Sequence, residues 1–444
     1  MPVFFYAKSF KYYAKFAVMS LSPTALKIIL ISLVALGYLL ESALDWLNYT
    51  YLKKPYLPQL SGILTEEKYS ETVRYQQERK RFGFITATYS FVLMLVMLLT
   101  GGFGWLDEQL REWTQHPILL ALLYFGMLML AADILSLPFQ LYSTFRIEES
   151  WGFNKTSVRT FWLDKLKGYG LGALLGGLLL SLLLWLVLEL GQNFWLYFWG
   201  VLILFMLGAN VFYTSLILPL FNKLRPLTAG ALKTALETYS QKINFPLKNI
   251  YVIDGSKRSS KANAFFAGLG KQKKIVLYDT LIEKHTEEEI VAVLAHEAGH
   301  YKKRHILKGF VLSVLQSGLM LFLLSRFIGS ETLTLALGGT PLGGTPLEAG
   351  LLPLHLNLIG FGLLYSPISM LLGLFMNSLS RKHEYQADAY AAQTYGAEPL
   401  QEALRKLSVL NLSQPLPHPW YVWVHYSHPP LLYRLDALEK QKQV

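Results

Sequence analysis

Five consecutive residues, His296-Glu297-Ala298-Gly299-His300, combine side chains that can bind a metal ion and activate water. Positions i and i+4 of an α-helix lie on one face, so the imidazoles of His296 and His300 can bind the same ion. A zinc ion held by two neutral histidines lowers the pKa of a bound water molecule, whose proton the carboxylate of Glu297 can accept. This HExxH spacing is typical of zinc metalloproteases and predicts one zinc ion per chain.

The residues before the motif favour a helix over a chance occurrence. Apolar residues precede the motif at helical spacing, and three glutamates at 287–289 stand where a first helical turn is expected. Acidic side chains at that end interact favourably with the helix dipole. We therefore predict that the motif lies on a helix that ends near residue 304.

A catalytic zinc site needs a third protein ligand from elsewhere in the chain. The best candidate is Glu384 in SLSRKHEYQADAYAA (378–392), and Asp388 follows one turn later, where it could orient a histidine ligand. His383 competes with Glu384, but neighbouring residues on a helix point about 100° apart, so both cannot easily bind one ion. On spacing alone, a solvated helix with ordinary i,i+4 charges explains this segment equally well.

These motifs, taken together, resemble a known family. HEAGH, RKHEYQADAYA and the C-terminal SHPPLLYRLDAL look like the type I CAAX prenyl proteases, which are integral-membrane zinc peptidases. Further matching stretches are RIEESWGFNKT (146–156), LPLFNKLRPL (218–227) and KANAFFAGLG (261–270). The resemblance runs over most of the chain, and it implies a seven-helix membrane bundle that encloses a large chamber.

The resemblance also implies roles for individual residues. It implies His296, His300 and Glu384 as zinc ligands and Glu297 as the general base. An aromatic, proline-punctuated loop at 415–430 contains His418, His425 and His428. A histidine near zinc can donate a hydrogen bond to a tetrahedral oxyanion, and the resemblance selects His428 for this position.

Composition independently indicates a membrane protein. Hydrophobic residues make up 52% of the chain and charged residues only 16%, which is unusual for a soluble enzyme. The absence of cysteine excludes disulfides, thiolate zinc ligands and a cysteine nucleophile. The net charge of +11 is better explained by positive cytoplasmic loops and anionic lipid than by nucleic acid, which we do not expect as a partner.

Hydrophobic runs predict seven membrane spans. Two of these spans contain a polar residue at depth, Asp133 and Asn210, which could line a water-filled cavity or could equally serve helix packing. The predicted spans are 25–47, 84–105, 117–141, 168–190, 194–220, 306–328 and 351–377.

The distribution of lysine and arginine predicts the orientation. The connection 48–83 holds seven of them and 142–167 holds five, whereas 106–116 holds one and 191–193 and 329–350 hold none. The positive-inside rule then places the catalytic segments on the cytoplasmic side, although the basic N-terminal stretch 1–24 disagrees. Short loops favour a bacterial inner membrane, and in a eukaryote the endoplasmic reticulum would be expected.

We predict a mainly α fold: a seven-helix transmembrane bundle around a cavity, with a small cytoplasmic α/β zinc-metalloprotease domain. Its units are 1–220 with five spans, 221–305 with HEAGH, 306–378 with two spans, and 379–444 with Glu384 and His428. Within the second unit, 233–245 reads as a helix, and 249–255 and 274–279 read as strands. The repeated GGTPL at 338–347 predicts a flexible loop over 329–350.

Between the two strands lies Asn263-Ala264-Phe265, which could form an edge that pairs with an extended peptide substrate. An ordinary hairpin strand is the structural alternative, and the resemblance favours the substrate edge.

Three functions fit a chain of this kind. The first is a membrane zinc endopeptidase that acts on peptides or proteins, including farnesylated ones that end in the CAAX pattern. The second is a quality-control metalloprotease, although the related heat-shock proteases have fewer spans. The third is a transporter, which has no need of HExxH at a membrane boundary.

Overall fold

The computed structural model describes residues 21–267, 273–342 and 352–441, and within these ranges the chain is mainly helical, as predicted. The basic N-terminal stretch to residue 20 and the second GGTPL repeat lie outside the described residues. The helices are α1 (Pro23–Tyr51), α2 (Glu66–Thr100), α3 (Gly102–Arg111), α4 (Pro117–Tyr142), α5 (Val158–Leu190), α6 (Phe194–Phe212), α7 (Leu218–Phe221), α8 (Ala231–Lys242), α9 (Asp279–Lys284), α10 (Glu287–Lys302), α11 (His305–Phe327), α12 (Glu331–Ala336), α13 (Leu354–Thr394), α14 (Ala397–Leu410), α15 (Pro419–His425) and α16 (Leu431–Gln441). The strands are β1 (Leu224–Pro226), β2 (Leu247–Ile253), β3 (Ala264–Ala267) and β4 (Lys273–Tyr278).

Six helical stretches among the described residues are long and apolar enough to cross a membrane. Seven were predicted, and the difference arises in the stretch Val158–Phe221, which contains the predicted spans 168–190 and 194–220. A 3-10 turn at Gly191–Asn193 joins α5 directly to α6. Gly191 has a φ of +53°, which glycine adopts without steric cost. The chain therefore turns within three residues, and α6 follows α5 without a longer loop between them.

The last long helix continues from a predicted span into the catalytic region. α13 runs without a break from Leu354 to Thr394, so the predicted boundary between 378 and 379 falls inside a helix. The residues around that boundary, NSLSRKH, contain neither glycine nor proline, so nothing in them ends the helix. One rigid element therefore joins the membrane half to Glu384.

Seven long helices contact one another in a closed ring. In order around the ring they are α1, α2, α4, α5, α6, α11 and α13, which returns to α1. α2 and α4 contact each other through aromatic side chains, where Phe82 packs against Phe139 and Tyr142. Across the ring, α13 meets α4 where the rings of His355 and Tyr124 lie 4.4 Å apart.

The segment predicted as a flexible loop is partly an ordered helix that closes the far end of the ring. Ser330 caps α12 by accepting a hydrogen bond from the Leu333 amide, and Leu333 is fully buried. Gly338 follows with a φ of +82°, and Arg111 bonds to the backbone of Thr340 and Pro341. The prediction was wrong for residues 331–336, because this stretch, ETLTLA, contains neither glycine nor proline and follows a serine that caps a helix.

The two polar residues at membrane depth have different surroundings. Asp133 forms an ion pair with Lys165 of α5 at 2.6 Å and also accepts a hydrogen bond from Gln140, so it serves helix packing. Asn210 lines a cavity of about 680 Å³ together with His300 and other residues of α6, α10 and α11. Asn210 therefore faces a cavity, whereas Asp133 joins α4 to α5.

The segment before the HExxH helix forms a four-stranded sheet in the order β1-β2-β4-β3. β2 and β4 are parallel at its centre, and β1 and β3 are antiparallel edge strands. The predicted helix and both predicted strands are present as α8, β2 and β4, whereas the short β1 was not predicted. A single hydrophobic core joins the sheet and α8 to α10, α13, α14 and α16.

Within this core, α10 and α13 approach each other closely at Gly299. A Cβ atom on Gly299 would lie 2.9 Å from the Ala387 Cα and 3.1 Å from both the Ala387 carbonyl oxygen and the Tyr390 Cβ. Real Cβ atoms do not approach backbone atoms so closely, so any side chain here would push the helices apart. Only glycine lets α13 lie this close to the HExxH motif.

We therefore expect Gly299→Ala to destabilise the protein by about 1–3 kcal/mol through overpacking, and to weaken metal retention because α13 must shift. Gly309→Ala in α11 is the matched control, since no atom lies within 4 Å of its added methyl group. Thermal unfolding and metal content of both purified variants measure the difference. Equal behaviour of the two variants would contradict the packing argument.

Candidate metal centre

The HExxH motif lies in the second half of α10. Thr286 and Glu289 form a capping box at the start of this helix, and the three glutamates occupy its first turn, as predicted. One helical turn separates His296 from His300, and their Nε2 atoms lie 3.2 Å apart. Both imidazoles therefore direct the same ring nitrogen to one point.

Glu384 of α13 completes the cluster. Its Oε2 lies 3.4 Å from the Nε2 of His296, and its Oε1 lies 3.3 Å from the Nε2 of His300. The candidate ligand atoms of all three residues lie within 4.8 Å of one another. Two imidazole nitrogens and a carboxylate oxygen are the donor set of many catalytic zinc sites, so these residues fit that ion.

The competing ligand, His383, points elsewhere. Its ring stacks on that of His305, with centroids 3.9 Å apart and planes 8° from parallel. Glu384 is buried, and its Oε2 forms no hydrogen bond with any residue that the structure describes. A buried carboxylate oxygen in that state is suited to a metal ion, so the geometry favours Glu384 over His383.

Asp388 lies beside the first histidine. Its Oδ1 lies 2.8 Å from the Nδ1 of His296. The carboxylate can only accept a hydrogen bond there, so Nδ1 carries the proton and Nε2 is left for the metal. Burial disfavours the charged ring, but the nearby carboxylates of Asp388 and Glu384 raise the pKa of His296 to about 9. Metal binding must therefore displace a proton from this site.

Arg434 is the functional residue that the sequence analysis missed. From α16, its Nε and Nη2 donate to both oxygens of Asp388 at 2.8 and 2.6 Å, and its Nη1 lies 3.5 Å from the Glu384 Oε2. Burial disfavours the charged guanidinium, but the charges of Asp388, Glu384 and Glu297 raise the pKa of Arg434. The sequence did contain an indication that Arg434 is buried, because it lies on the apolar face of α16 with Leu435 and Leu438.

Of the three histidines in the 415–430 loop, His428 approaches the cluster. Its Nε2 lies 3.3 Å from the Glu384 Oε1, and its side chain is 64% exposed. His418 instead caps α15, where its ring accepts a hydrogen bond from the Trp420 amide. The Nε2 of His425 lies 3.2 Å from the carboxylate of Glu41 in α1.

Comparison with known proteins covers almost the whole chain. Residues 47–223 match the family described as CAAX prenyl protease N-terminal, five membrane helices, and residues 226–442 match Peptidase family M48. The CAAX prenyl protease 1 homolog of Oryza sativa is 36% identical over 413 residues, which cover 91% of this chain and 95% of that protein. The Homo sapiens homolog is 33% identical over 430 residues, covering 87% and 89%.

A solved structure has the same fold. The crystal structure of S. mikatae Ste24p superposes with a TM-score of 0.86 at 32% sequence identity, covering 93% of this chain and 98% of that one. The chain belongs to the CAAX prenyl protease family. This CAAX prenyl protease homologue is a multi-pass membrane metalloprotease, and zinc is the metal that its family implies.

The predicted substrate residues of the protease lie at the edge of its sheet. Ala264 and Phe265 belong to the edge strand β3, which pairs with β4 on one side only within the described sheet. Asn263 precedes the strand, and its backbone oxygen accepts a hydrogen bond from the Tyr278 amide. β3 also contacts α10, which carries the metal cluster.

Glu384→Ala is expected to abolish stoichiometric zinc binding, because only two histidine ligands would remain. His383→Ala serves as the control and should retain zinc, since its ring stacks on His305 away from the ligand cluster. Elemental analysis of the purified, detergent-solubilised variants measures both. Zinc that persists without Glu384 but is lost without His383 would transfer the third position to His383.

Proposed function

We propose that this protease hydrolyses peptide bonds near the C-terminus of prenylated polypeptides, using one zinc ion held by His296, His300 and Glu384. The observation that carries the proposal is the convergence of these three side chains, with His296 oriented by Asp388. Relatives named CAAX prenyl proteases, similar over most of their length, support the substrate class.

The residues around the cluster divide the chemistry among them. A zinc ion bound there supplies a Lewis acid, which polarises a carbonyl and lowers the pKa of water. Glu297 is adjacent to the ligand His296 and only partly buried, so its carboxylate can accept a proton from the attacking water and return it to the leaving amine. Arg434 holds Asp388 and Glu384 in place through their negative charges.

Replacing Glu297 by glutamine separates proton transfer from metal binding. The variant should retain stoichiometric zinc, because Glu297 is not a ligand, and should lose about 10²- to 10⁴-fold in kcat. Metal content and single-turnover hydrolysis of one peptide measure the two effects. Turnover near that of the unmodified protein would remove Glu297 from the mechanism.

We assign His428 to the stabilisation of the oxyanion that forms when water attacks the carbonyl. Its Nε2 lies at the cluster, and Ser427 Oγ lies 3.0 Å from its Nδ1, which helps to fix the ring. The side chain of His428 is exposed, so a substrate carbonyl can reach its ring from the solvent side. His428 then donates a hydrogen bond where negative charge develops.

His428→Ala should lower kcat by about 10²- to 10³-fold, the usual cost of one lost oxyanion donor, without loss of zinc. His425→Ala is the matched control from the same loop, because its ring faces Glu41. Steady-state kinetics of both variants against one peptide give the comparison. An equal loss in the two variants would indicate that the loop matters only for folding.

The edge strand β3 suits an extended peptide. Its outer edge faces no other strand of the described sheet, so a substrate strand could form main-chain hydrogen bonds there and lie beside α10 and the metal cluster. We therefore assign Asn263, Ala264 and Phe265 to substrate binding. Main-chain pairing is insensitive to side-chain identity, which suits an enzyme that acts on several C-terminal sequences.

Two cavities, one beside the catalytic residues and one in the membrane half, share Arg79 as a lining residue. Arg79 lines a cavity of about 600 Å³ together with His428 and Arg434. Arg79 also lines a second cavity of about 1110 Å³ between α2, α3 and α4, whose walls include Met94, Met97 and other apolar side chains. An apolar chain attached beside the scissile bond could pass from the first cavity into the second.

We assign seven membrane crossings to the ring of long helices, with α5 and α6 as separate crossings. The ring then encloses a water-accessible chamber, and the sheet with α8–α10 forms a small α/β unit at one end of this chamber. The basic connections 48–83 and 142–167 support a cytoplasmic location for that end. Because α13 leads directly to Glu384, the metal lies at the membrane boundary.

The direct test is hydrolysis of a quenched farnesylated peptide with a CAAX ending by the purified full-length protease. We expect cleavage that stops when a zinc chelator is added and returns with added zinc. The same peptide without its farnesyl group should be cleaved less efficiently. Activity that survives chelation would contradict the metalloprotease mechanism, and equal cleavage of both peptides would favour the quality-control role.

A further inference from the structure

The second zinc ligand, His300, meets another histidine on the side opposite the cluster. Its Nδ1 lies 3.1 Å from the Nδ1 of His305, the first residue of α11. The other ring nitrogen of His305, Nε2, lies 2.9 Å from the side-chain oxygen of Gln386 in α13. The three side chains therefore form a hydrogen-bonded row that ends at the metal cluster.

The proton positions in this row follow from the donors and acceptors. The Gln386 side-chain oxygen can only accept, so Nε2 of His305 must carry a proton. A neutral imidazole then has a lone pair on Nδ1, which accepts a hydrogen bond from the Nδ1–H of His300. His300 in turn keeps its Nε2 lone pair free, and that atom faces His296 and Glu384.

The backbone is shaped to bring these two rings together. On a straight helix, residues five apart point about 140° away from each other, so His300 and His305 would not meet. α10 ends at Lys302, and Arg304 has a φ of +57° and a ψ of +33°. This left-handed residue is costly for a non-glycine side chain, and it redirects the chain so that His305 returns to His300.

Packing then fixes the orientation of the His305 ring. The residue is 5% exposed, and the ring of His383 lies parallel to it at 3.9 Å. His383, which the sequence suggested as a competing ligand, thus packs against His305 without joining the hydrogen-bonded row. His305 has little freedom to rotate away from His300 and Gln386.

We propose that His305 is a positioning residue of the metal centre, which fixes the tautomer and ring orientation of His300 through its Nδ1. The inference rests on the proposed role of His300 as a zinc ligand. Asp388 performs the same task for His296. The two ligands thus have different partners, a carboxylate for one and a neutral imidazole held by Gln386 for the other.

Two substitutions at one position separate positioning from packing. His305→Phe keeps an aromatic ring against His383 but removes both ring nitrogens. His305→Gln can restore an acceptor for His300 and a donor for Gln386. His383→Phe is the matched control, because it preserves the stacked pair and lies outside the hydrogen-bonded row.

The readout is zinc affinity, measured by competition with a chromophoric chelator on the purified full-length protein without substrate. We expect His305→Phe to weaken zinc binding about 10- to 100-fold, as for other partners of metal-binding histidines. His305→Gln should recover most of this loss, and His383→Phe should bind zinc like the unmodified protein. The melting temperature of the metal-free variants should change little.

Zinc affinity unchanged in His305→Phe, or lowered equally in the Phe and Gln variants, would overturn the proposal. If His305→Phe does not fold, Gln386→Leu tests the same row from its outer end and should also weaken zinc binding. Unchanged affinity in that variant would likewise overturn the proposal. Zinc retained by His300→Ala would instead contradict the assignment of His300 as a ligand. Failure of the His305 proposal can therefore be distinguished from failure of the proposed zinc site.

Discussion

The structure depends on the close contact of two helices at Gly299. Because no side chain separates α10 from α13 there, Glu384 reaches the two histidines and Asp388 reaches the back of His296. Each ligand atom alone would be an unfavourable buried polar group, and together they form a donor set for one cation. The whole metal centre rests on the geometry of this contact.

Charge balance sets the second constraint on this site. Two carboxylates, Glu384 and Asp388, are buried within a hydrophobic core, which is costly unless cations accompany them. Arg434 supplies one positive charge from α16, and a zinc ion bound by Glu384 would supply two more. Three segments distant in sequence are thereby tied together, so folding of the C-terminal helix and assembly of the metal centre are coupled.

Much of this site was predictable, for reasons that differ between residues. His296, Glu297 and His300 share one helical turn, so local periodicity places them without knowledge of the fold. Glu384 comes from a segment more than eighty residues away, and spacing alone left His383 and a solvated helix as alternatives. The ring stacking of His383 on His305 is a tertiary contact, and no local pattern could reveal it.

The features that the sequence analysis missed depend on long-range packing. Arg434 reads locally as an ordinary charge on a terminal helix, and only its burial against Asp388 gives it a role. α12 reads as part of a glycine-rich loop, and the elements around it make it a closure of the helix ring. The continuity of α13 was obscured because its hydrophobic run ends near 377 while its helix continues to Thr394.

The central claim is that the metal is held by two histidines of α10 and one carboxylate of α13. X-ray absorption at the zinc edge of the purified protein tests it most directly, because imidazole ligands give a distinctive multiple-scattering pattern. We predict two imidazole nitrogens at about 2.0–2.1 Å, with oxygen ligands completing the shell. A shell of three imidazoles would contradict the account, because a histidine such as His428 or His383 would then bind the metal beside the two of α10.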